Sequence, residues 1–398
     1  MSKRMKQMGI LSALLTFVCL ALLISVGYTD RPNVSATVYV NAKNAGLSEK
    51  VASNTKILQK ILDSNTTGTT HIIIPKGTYY FDSGVIKMHS NLTLSFEKGA
   101  IFKSRNNATV FFAYPSSKKG YDGGTSNILW KNATLVCSDE NGQGSFTQSM
   151  NHAQDVKFQN CTFYDAENPN GHIFDLDGSH NISISNCSFY GFNANVANDY
   201  KEAIQIDYSN PGAMSYQLDG DKYDDLPSFN IYVSNNQFLP INSHNRIKYY
   251  APNPIGQHAT YDNGKSGIIH NIYFTNNKVV DSKPRKTDTT GTINFNAVSN
   301  LYIENNQFSN ILTTGVSNYI RIYNPLATYH MKNIWINNNR FTNVNPTNQY
   351  ILIRSTMPEN PIKDIYISNN IVTTHLTHTI FINSLNNNVT QKNNKFVK

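Results

Sequence analysis

A short unit recurs along most of this chain, and it restricts the fold more than any other feature of the sequence. Each copy holds a strand of alternating apolar residues, usually an Asn-Asn or Asn-Cys pair, and a second short strand that often carries Phe. The copies read ILWKNATL at 128–135, VKFQNCTF at 156–163, ISISNCSF at 182–189, IYVSNNQF at 231–238, IYFTNNKV at 272–279, LYIENNQF at 301–308, IWINNNRF at 334–341, IYISNNIV at 365–372 and VTQKNNKF at 389–396. Such alternation predicts short β-strands.

The spacing of the copies gives the size of the structural repeat. The asparagines at the bends between the two strands are Asn132, Asn160, Asn186, Asn235, Asn276, Asn305, Asn338, Asn369 and Asn393. They follow one another at steps of 28, 26, 49, 41, 29, 33, 31 and 24 residues. A period in the twenties and low thirties, built of short strands, is typical of one coil of a β-solenoid, whose coils stack to complete a core. The sequence therefore predicts an all-β, single-stranded parallel β-helix.

The residues at the bends have a mechanical role in this prediction. Asn tolerates the left-handed backbone conformation that a tight bend needs, and its amide can bond to the Asn of the next coil in a ladder along the axis. Cys161 and Cys187 occupy the same place in adjacent coils. Stacked coils lie roughly 4.8 Å apart, which is within the range of Cα–Cα distances that a disulfide bond can bridge. We expect two buried thiols there, with a disulfide bond as the alternative.

Residues 1–36 have the features of an export signal. Lys3, Arg4 and Lys6 precede an almost wholly apolar run at 8–28, and small residues follow at 34–36. The run is also long enough to span a bilayer, so the segment is either a cleaved signal peptide or an uncleaved signal anchor. Both alternatives place the domain at 37–398 outside the cytoplasm, secreted or on the cell surface. A membrane is a partner only through an uncleaved anchor.

Charge and cysteine content exclude several classes of protein. The formal net charge is +8, but no run of Lys and Arg resembles a nucleic-acid-binding tract. The four cysteines are too few for a disulfide scaffold and lack the spacing of a structural zinc site. We therefore expect no nucleic acid as a partner and no structural zinc site, and the sequence does not indicate an oligomeric state.

The N-terminal part of the domain differs from the later repeats. Apolar residues at helical spacing over 57–62, with Ser53 or Asn54 as the cap, predict a short amphipathic helix. The end of a solenoid exposes its core and strand edges unless something covers them. We therefore expect this helix to cap the first coil.

This start of the domain resembles a known superfamily. The helix, followed by IIIPKGTYYF at 72–81 and NLTLSFEKGAIF at 91–102, is similar to the start of the pectate-lyase-like superfamily. The later coils resemble the polygalacturonase family of glycoside hydrolases. Over 37–398 the resemblance implies a right-handed parallel β-helix with three strands per coil.

The strand that precedes each repeat carries polar residues at alternate positions. Side chains alternate across a strand, so with the apolar residues in the core the outward residues stack in two columns. The first column is Asp175, Gln205, Asn294 and Arg321. The second column is Asp177, Asp207, Asn296, Tyr323 and Arg354. The columns predict a binding strip with acids at one end and arginines at the other.

Two of the steps between repeats are too long for one coil. The steps of 49 and 41 residues require loops that leave the solenoid, at roughly 210–228 and 239–254. Long loops on a regular scaffold usually carry function. They predict a cleft near the strands at 172–177, 202–207 and 255–258.

The acidic residues near this cleft are candidate catalytic groups. The predicted catalytic residues are Glu202, Asp207, Asp175, Asp177 and His258. Neighbouring carboxylates repel, so the pKa of at least one should rise, and that group can act as a general acid beside an ionised base or nucleophile. Glu202 is the first choice for the general acid, Asp207 or Asp175 for the base, and His258 for a proton relay.

The resemblance to polygalacturonases can be followed residue by residue. Where the family has Asn-Thr-Asp, this chain has His172 in place of Asp, and the family's pair of aspartates becomes Lys201-Glu202. The His of Gly-His-Gly has a displaced counterpart in His258. Arg-Ile-Lys becomes Arg321-Ile322-Tyr323, and the missing Lys helps to hold galacturonate in the family. The resemblance therefore does not predict pectin as the substrate.

Three functions remain open at this stage, and all of them involve a polysaccharide. The candidate substrate-binding residues are His172, Lys201, Gln205, Asn294, Asn296, Arg321, Tyr323 and Arg354. The leading hypothesis is an extracellular polysaccharide-degrading glycoside hydrolase without a cofactor. The first alternative is a polysaccharide lyase or uronate epimerase, with a base such as Lys201 or His258 and Ca²⁺ held by Asp175, Asp177 and Asp207. The second alternative is a non-catalytic, glycan-binding surface protein.

Overall fold

The computed structural model describes residues 36–397, apart from 107, 138–143, 166–171, 193–201, 283–289, 313–318, 345, 347–348 and 375–379. The chain from Val38 onward groups as one compact unit. The export signal at 1–36 lies almost wholly outside the described residues, so the division of the chain at residue 36 stays a prediction. Within the described ranges, no helix combines the length and the apolar character that a membrane span requires.

Three parallel sheets, here called sheets 1, 2 and 3, make up the body of the molecule. Sheet 1 has 12 strands: Val38–Asn41, Thr70–Ile74, Leu92–Phe96, Ser126–Lys131, Gln154–Gln159, His180–Ser185, Phe229–Ser234, Ile269–Thr275, Val298–Glu304, Lys332–Asn337, Lys363–Ser368 and Val389–Lys392. Sheet 2 has 11 strands: Gly77–Phe81, Ala100–Ser104, Thr134–Val136, Thr162–Tyr164, Ser188–Tyr190, Gln237–Leu239, Lys278–Val280, Gln307–Ser309, Arg340–Thr342, Ile371–Thr373 and Lys395–Val397. Sheet 3 has 10 strands: Gly84–Lys87, Thr109–Tyr114, Ser145–Asn151, Phe174–Asp177, Glu202–Asp207, Asn253–Gly256, Ile293–Asn296, Ile320–Asn324, Gln349–Ser355 and Ile380–Leu385.

The order of these strands is that of a parallel β-helix. The chain visits sheets 1, 2 and 3 in turn, and each strand pairs in parallel with its counterpart one coil away. The apolar residues predicted to face inward from sheet 3, such as Phe174, Ile204 and Ile322, are fully buried in the core. The predicted all-β solenoid with three strands per coil is therefore confirmed.

The bends of the coils have the predicted backbone conformation. All nine bend asparagines are left-handed, with φ between 54° and 58°. Two of the predicted bonds between bend asparagines are present, from Asn160 to Asn132 and from Asn393 to Asn369. The continuous buried ladder is formed instead by the residue after the bend, a place that the sequence did not predict. Its members are Asn236, Asn277, Asn306, Asn339, Asn370 and Asn394, each bonded to the next by side-chain and backbone N–H groups. The ladder forms there because this residue turns into the core while the bend residue turns outward.

A second ladder of asparagines lies at the start of the sheet 1 strands. Its longest run is Asp155, Asn181, Asn230, Asn271, Asn300 and Asn333, each bonded through its side chain to the next. These residues also have positive φ values. The sequence carries a signal for this ladder, because Asn or Asp recurs five residues before each bend asparagine.

The two stacked cysteines are thiols. Cys161 and Cys187 are free and buried, as predicted. The backbone N–H of Cys187 donates to Asn236 Oδ1 at 2.8 Å, and that of Cys161 donates to Cys187 Sγ at 3.4 Å. The thiols therefore continue the buried ladder toward the N-terminus.

The predicted N-terminal helix is present. Helix α1 (Thr55–Leu62) buries Leu58, Ile61 and Leu62 and packs against the strand Gly84–Lys87. The side chain of Asn54 forms no cap hydrogen bond with the helix and instead binds Ser48 and Tyr80. That α1 caps the solenoid stays a prediction.

Candidate functional site

The two polar columns on sheet 3 lie in register, as the alternation predicted. The first column runs through Asp175, Gln205, Gly256, Asn294 and Arg321. The second has Asp177 beside Asp207, and Asn296 beside Tyr323, which in turn lies beside Arg354. Parallel pairing therefore brings residues from distant parts of the chain into two rows on the outer face of the sheet.

The first insertion, residues 208–228, covers the acidic end of these columns. The backbone N–H of Ser215 donates to Asp175, and Gln205 Nε2 donates to Asp175 Oδ1 at 2.8 Å and to the Ala213 carbonyl at 3.2 Å. Asp175, Asp177 and Asp207 have no solvent exposure. Their outward orientation agrees with the sequence, but their complete burial corrects the expectation that they line an open cleft.

A polar network holds this insertion against the solenoid. His152 lies 2.7 Å from Ser116 Oγ through Nδ1 and 2.8 Å from Asp224 Oδ1 through Nε2. Asn151 Nδ2 donates to the Lys222 carbonyl at 2.9 Å. This network could not be predicted from the sequence, because its members are far apart in the chain and belong to no repeat.

The second insertion is shorter than the sequence predicted. It contains an antiparallel hairpin, Ile241–Ser243 with Arg246–Tyr249. The chain rejoins sheet 3 at Asn253–Gly256, which pairs with the strand Glu202–Asp207. The loop predicted at 239–254 therefore ends two residues early, and His258 lies beyond the strand predicted at 255–258.

Glu202 lies between two histidines. His258 Nε2 is 3.0 Å from Glu202 Oε1, with the His258 side chain 38% exposed and that of Glu202 fully buried. His172 Nδ1 is 2.7 Å from the backbone oxygen of Glu202. The two imidazole rings have centroids 4.9 Å apart. Three coils thus contribute one side chain each to a compact cluster.

The histidines determine the ionisation of Glu202. Burial alone would raise the pKa of Glu202, but the charges of His258 and His172 and the hydrogen bond from His258 lower it to about 2. Burial would lower the pKa of His258, but Glu202 and the nearby aspartates raise it to about 9. An ionised carboxylate has no proton to donate, so this environment argues against Glu202 as the general acid.

The aspartates have the opposite shift. Burial raises the pKa of Asp175 to about 6, although hydrogen bonds from Ser215 oppose the shift. Burial, followed by the charges of Asp175 and Asp207, raises the pKa of Asp177 well above its usual range. Burial also raises the pKa of Asp207. Among the described residues, no group forms a hydrogen bond of standard geometry with the carboxylate oxygens of Asp177 or Asp207.

These shifts predict that Asp177→Asn stabilises the protein at alkaline pH. Because the folded-state pKa of Asp177 is raised, the folded state retains a proton that the unfolded chain loses above about pH 4. Asp177 therefore lowers stability as the pH rises, and Asn removes this effect. We expect a gain of about 0.5–2 kcal/mol at pH 8 and no gain at pH 3.5, measured by urea unfolding. Exposed Asp364→Asn is the control, and equal gains at both pH values would contradict the account.

The opposite end of the columns presents cationic, amide and aromatic groups. Arg321 Nη1 donates to Asn294 Oδ1 and Asn296 Oδ1, both at 3.0 Å, and its guanidinium lies 4.4 Å from the centre of the Tyr323 ring. Arg354 is exposed beside Tyr323. Here the name outer strip is used for His258, Asn296, Arg321, Tyr323 and Arg354.

The structure separates the predicted binding residues into two groups. His172, Gln205 and Asn294 are buried, and Arg321 is only 8% exposed, so these four residues mainly support neighbouring side chains. Asn296, Tyr323 and Arg354 reach the surface. Lys201 lies outside the described residues. The part of the outer strip that a ligand can reach is therefore His258, Asn296, Tyr323 and Arg354, and the aspartates lie beneath the cover of the first insertion.

A row of aromatic residues on sheet 1 was not singled out from the sequence. Its members are Tyr232, Tyr273, Tyr302, Trp335 and Tyr366, at the same position in successive repeats. Neighbouring rings stack face to face at centroid distances of 4.9, 4.8, 6.5 and 4.1 Å. Because the ring faces cover one another, the row stabilises coil stacking and offers mainly ring edges to solvent.

A cavity of about 450 Å³ lies in another part of the molecule and is lined in part by His89. None of the predicted site residues lines this cavity.

Comparison with known proteins identifies the fold of this chain but not its activity. No known protein family matches the sequence of this chain, and no curated protein matches it. The structure is similar to that of PfbA, a surface adhesin of Streptococcus pneumoniae, at 18% identity over 90% of this chain and 91% of PfbA, with a TM-score of 0.60. ORF18 of Geobacillus virus E2 is 13% identical over 90% of this chain and 62% of its own, with a TM-score of 0.57.

A third similar structure contains a bound sugar. The tailspike protein of E. coli bacteriophage HK620, a double mutant in complex with a pentasaccharide, is 14% identical over 82% of this chain and 54% of its own, with a TM-score of 0.51. PfbA and the tailspike are right-handed parallel β-helix proteins. The resemblance predicted from the sequence is therefore confirmed for the fold, and at these identities the likeness extends to the fold alone.

Proposed function

We propose that this protein is an exported polysaccharide-binding protein that holds an acidic glycan on the outer strip of sheet 3. The observation that carries the proposal is the register of the strip. Asn296, Tyr323 and Arg354 come from three successive coils and stand in one row on the face of the sheet. A polymer lying across the coils meets one side chain at each step of about 4.8 Å.

The chemistry of the strip favours an acidic glycan. The exposed, planar guanidinium of Arg354 matches the geometry of a carboxylate, and the mostly buried guanidinium of Arg321 adds positive charge beneath the strip. Arg321 is already held by Asn294 and Asn296, so it loses little conformational freedom when a ligand binds. The amide of Asn296 and the ring of Tyr323 add polar and flat apolar contacts.

Two observations outside the strip support the location and the ligand class. The export features at 1–36 would deliver the domain to the cell surface or the medium. PfbA is a surface adhesin, and the phage tailspike was solved with a pentasaccharide. These proteins share the fold of this chain, and a glycan ligand outside the cell is consistent with both.

Hydrolysis of the bound glycan is the second candidate, and the aspartates favour it. Burial raises the pKa of Asp175 to about 6, and burial together with the charges of Asp175 and Asp207 raises the pKa of Asp177 well above its usual range, so one carboxyl of the pair could hold a proton as an acid while the other is ionised as a base. Two carboxyl groups in these states are what glycoside hydrolysis needs. The first insertion, which bonds to Asp175 through Ser215, would have to open before substrate reached them.

Lyase or epimerase action has weaker support. Its candidate base Lys201 lies outside the described residues, and its candidate Ca²⁺ ligands Asp175, Asp177 and Asp207 are fully buried. Ca²⁺ prefers six to eight oxygen ligands, often including water. We expect no loss of function when a chelator removes Ca²⁺.

A panel of neutral and uronic-acid polysaccharides tests the proposal. Affinity electrophoresis of the purified chain should show retardation by acidic polymers and none by neutral ones. Failure of every acidic polymer to retard the chain would overturn the binding proposal. Release of reducing ends, abolished by Asp177→Asn, would establish hydrolysis in addition. Ultraviolet absorbance of unsaturated products would instead establish a lyase and overturn the hydrolytic assignment.

A further inference from the structure

We propose that His172, Glu202 and His258 form a binding site for a divalent transition metal, with Zn²⁺ as the probe. This inference does not rest on the polysaccharide proposal. The sequence predicted no transition-metal ligands at this cluster. The three residues are far apart in the chain, and only the stacking of coils brings them together.

The distances between the three groups suit one ion. Their ligand atoms all lie within 4.8 Å of one another, and His258 Nε2 is 3.0 Å from Glu202 Oε1. Ligands about 2.0–2.1 Å from a tetrahedral Zn²⁺ are separated by about 3.4 Å. Small side-chain rotations therefore suffice to bring the three groups to a common ion.

The orientation of His172 supports the assignment independently. Its Nδ1 lies 2.7 Å from the backbone oxygen of Glu202, so Nε2 is the nitrogen that would bind the metal. Metal-binding histidines usually place their second nitrogen against a carbonyl or carboxylate, which fixes the tautomer and the ring direction. The structure supplies this supporting contact for His172 within the cluster itself.

The charge around the cluster also calls for a cation. Glu202, Asp175, Asp177 and Asp207 are all fully buried. Among the described residues, no Lys or Arg forms an ion pair with any of the four, and the ion pair found there is that of Glu202 with His258. Buried carboxylates without compensating charge are unfavourable. A divalent cation at the cluster would offset the charge of Glu202 and lower the cost of ionising the three aspartates.

The cluster resembles a metal site with an exchangeable position. Two histidines and one glutamate are three protein ligands, a set that zinc sites use when the fourth position holds water or substrate. His172 and Glu202 are buried, whereas the His258 side chain is 38% exposed. The ion would therefore be reached from the side on which the outer strip begins.

Metal analysis of the tag-free full chain tests this site. After removal of metals with a chelator and dialysis against Zn²⁺, we expect one zinc per chain by mass spectrometry of the metal. Co²⁺ in place of zinc should give visible absorption bands of a low-coordinate site. Zn²⁺ should also raise the Tm, because it binds the folded state alone.

Variants of the three residues and one control variant test whether the bound zinc occupies this cluster. Glu202→Gln, His172→Ala and His258→Ala should each reduce bound zinc at least tenfold and abolish the Tm shift, whereas exposed His330→Ala should change neither. Glu202→Gln keeps the shape of the side chain, and its circular dichroism verifies that it is folded. Wild-type protein that binds no more zinc than folded Glu202→Gln, or equal loss in His330→Ala, would overturn the proposal, whatever the outcome with polysaccharides.

Discussion

Replacing Asn306 by alanine is expected to lower the free energy of unfolding by about 3–5 kcal/mol. Asn306 is a fully buried member of the buried asparagine ladder. Its Oδ1 accepts from the backbone and the side chain of Asn277, and its Nδ2 donates to the Phe274 carbonyl and to Asn339 Oδ1. Alanine removes all four bonds and leaves buried partners unpaired in the neighbouring coils.

Urea unfolding followed by circular dichroism measures this effect. The control is Asn305→Gly at the adjacent bend, where φ is 58° and the side chain is exposed. Glycine adopts this conformation readily, so we expect a change within about 1 kcal/mol for the control. A similarly small change for Asn306→Ala would show that the ladder contributes little to stability.

The double variant Arg321→Ala/Arg354→Ala is expected to weaken binding of an acidic polysaccharide by about 10²–10³-fold. A hydrogen bond to a charged group contributes about 1.5–3 kcal/mol, and each 1.4 kcal/mol changes affinity tenfold. Arg354 should contact the polymer directly, and Arg321 should act through its charge and by orienting Asn296 and Tyr323. The effect should fall as the salt concentration rises, because part of the attraction is long-range.

Affinity electrophoresis at fixed ionic strength measures the loss. Arg340→Ala is the matched control, because Arg340 is exposed on sheet 2 and its removal lowers the net charge without touching the outer strip. We expect the control to bind within about threefold of wild type, since a rim charge contributes little. If Arg340→Ala weakened polysaccharide binding as much per charge removed as the double variant does, the attraction would come from the overall positive charge of the protein and not from a specific site.

Features that depend on local backbone geometry could be predicted from the sequence. The period of the repeat predicted the coils, and the need for a left-handed residue predicted each bend. The continuous buried ladder lies one residue after the predicted position, because either asparagine of an Asn-Asn pair satisfies the same pattern. Only the direction of Asn236 into the core, beside outward Asn235, decides which of the two forms the ladder.

Features that depend on long-range contacts could not be predicted. The alternation along single strands did predict that the acids and the arginines stand in columns, but it did not predict the contacts around them. The burial of Asp175 depends on how the first insertion folds, and contacts such as His152 with Asp224 direct that folding. The low pKa of Glu202 depends on His258, which comes from a different coil. No pattern in the sequence links these pairs.

Hydroxyl-radical footprinting tests most directly whether the outer strip of sheet 3 holds the glycan. The full chain is oxidised with and without a saturating acidic oligosaccharide, and mass spectrometry reads the modification of single residues. We expect protection of Tyr323 and His258 on the outer strip, with Tyr232 and Tyr273 on sheet 1 unchanged. Protection of Tyr232 and Tyr273 without Tyr323 would contradict the account.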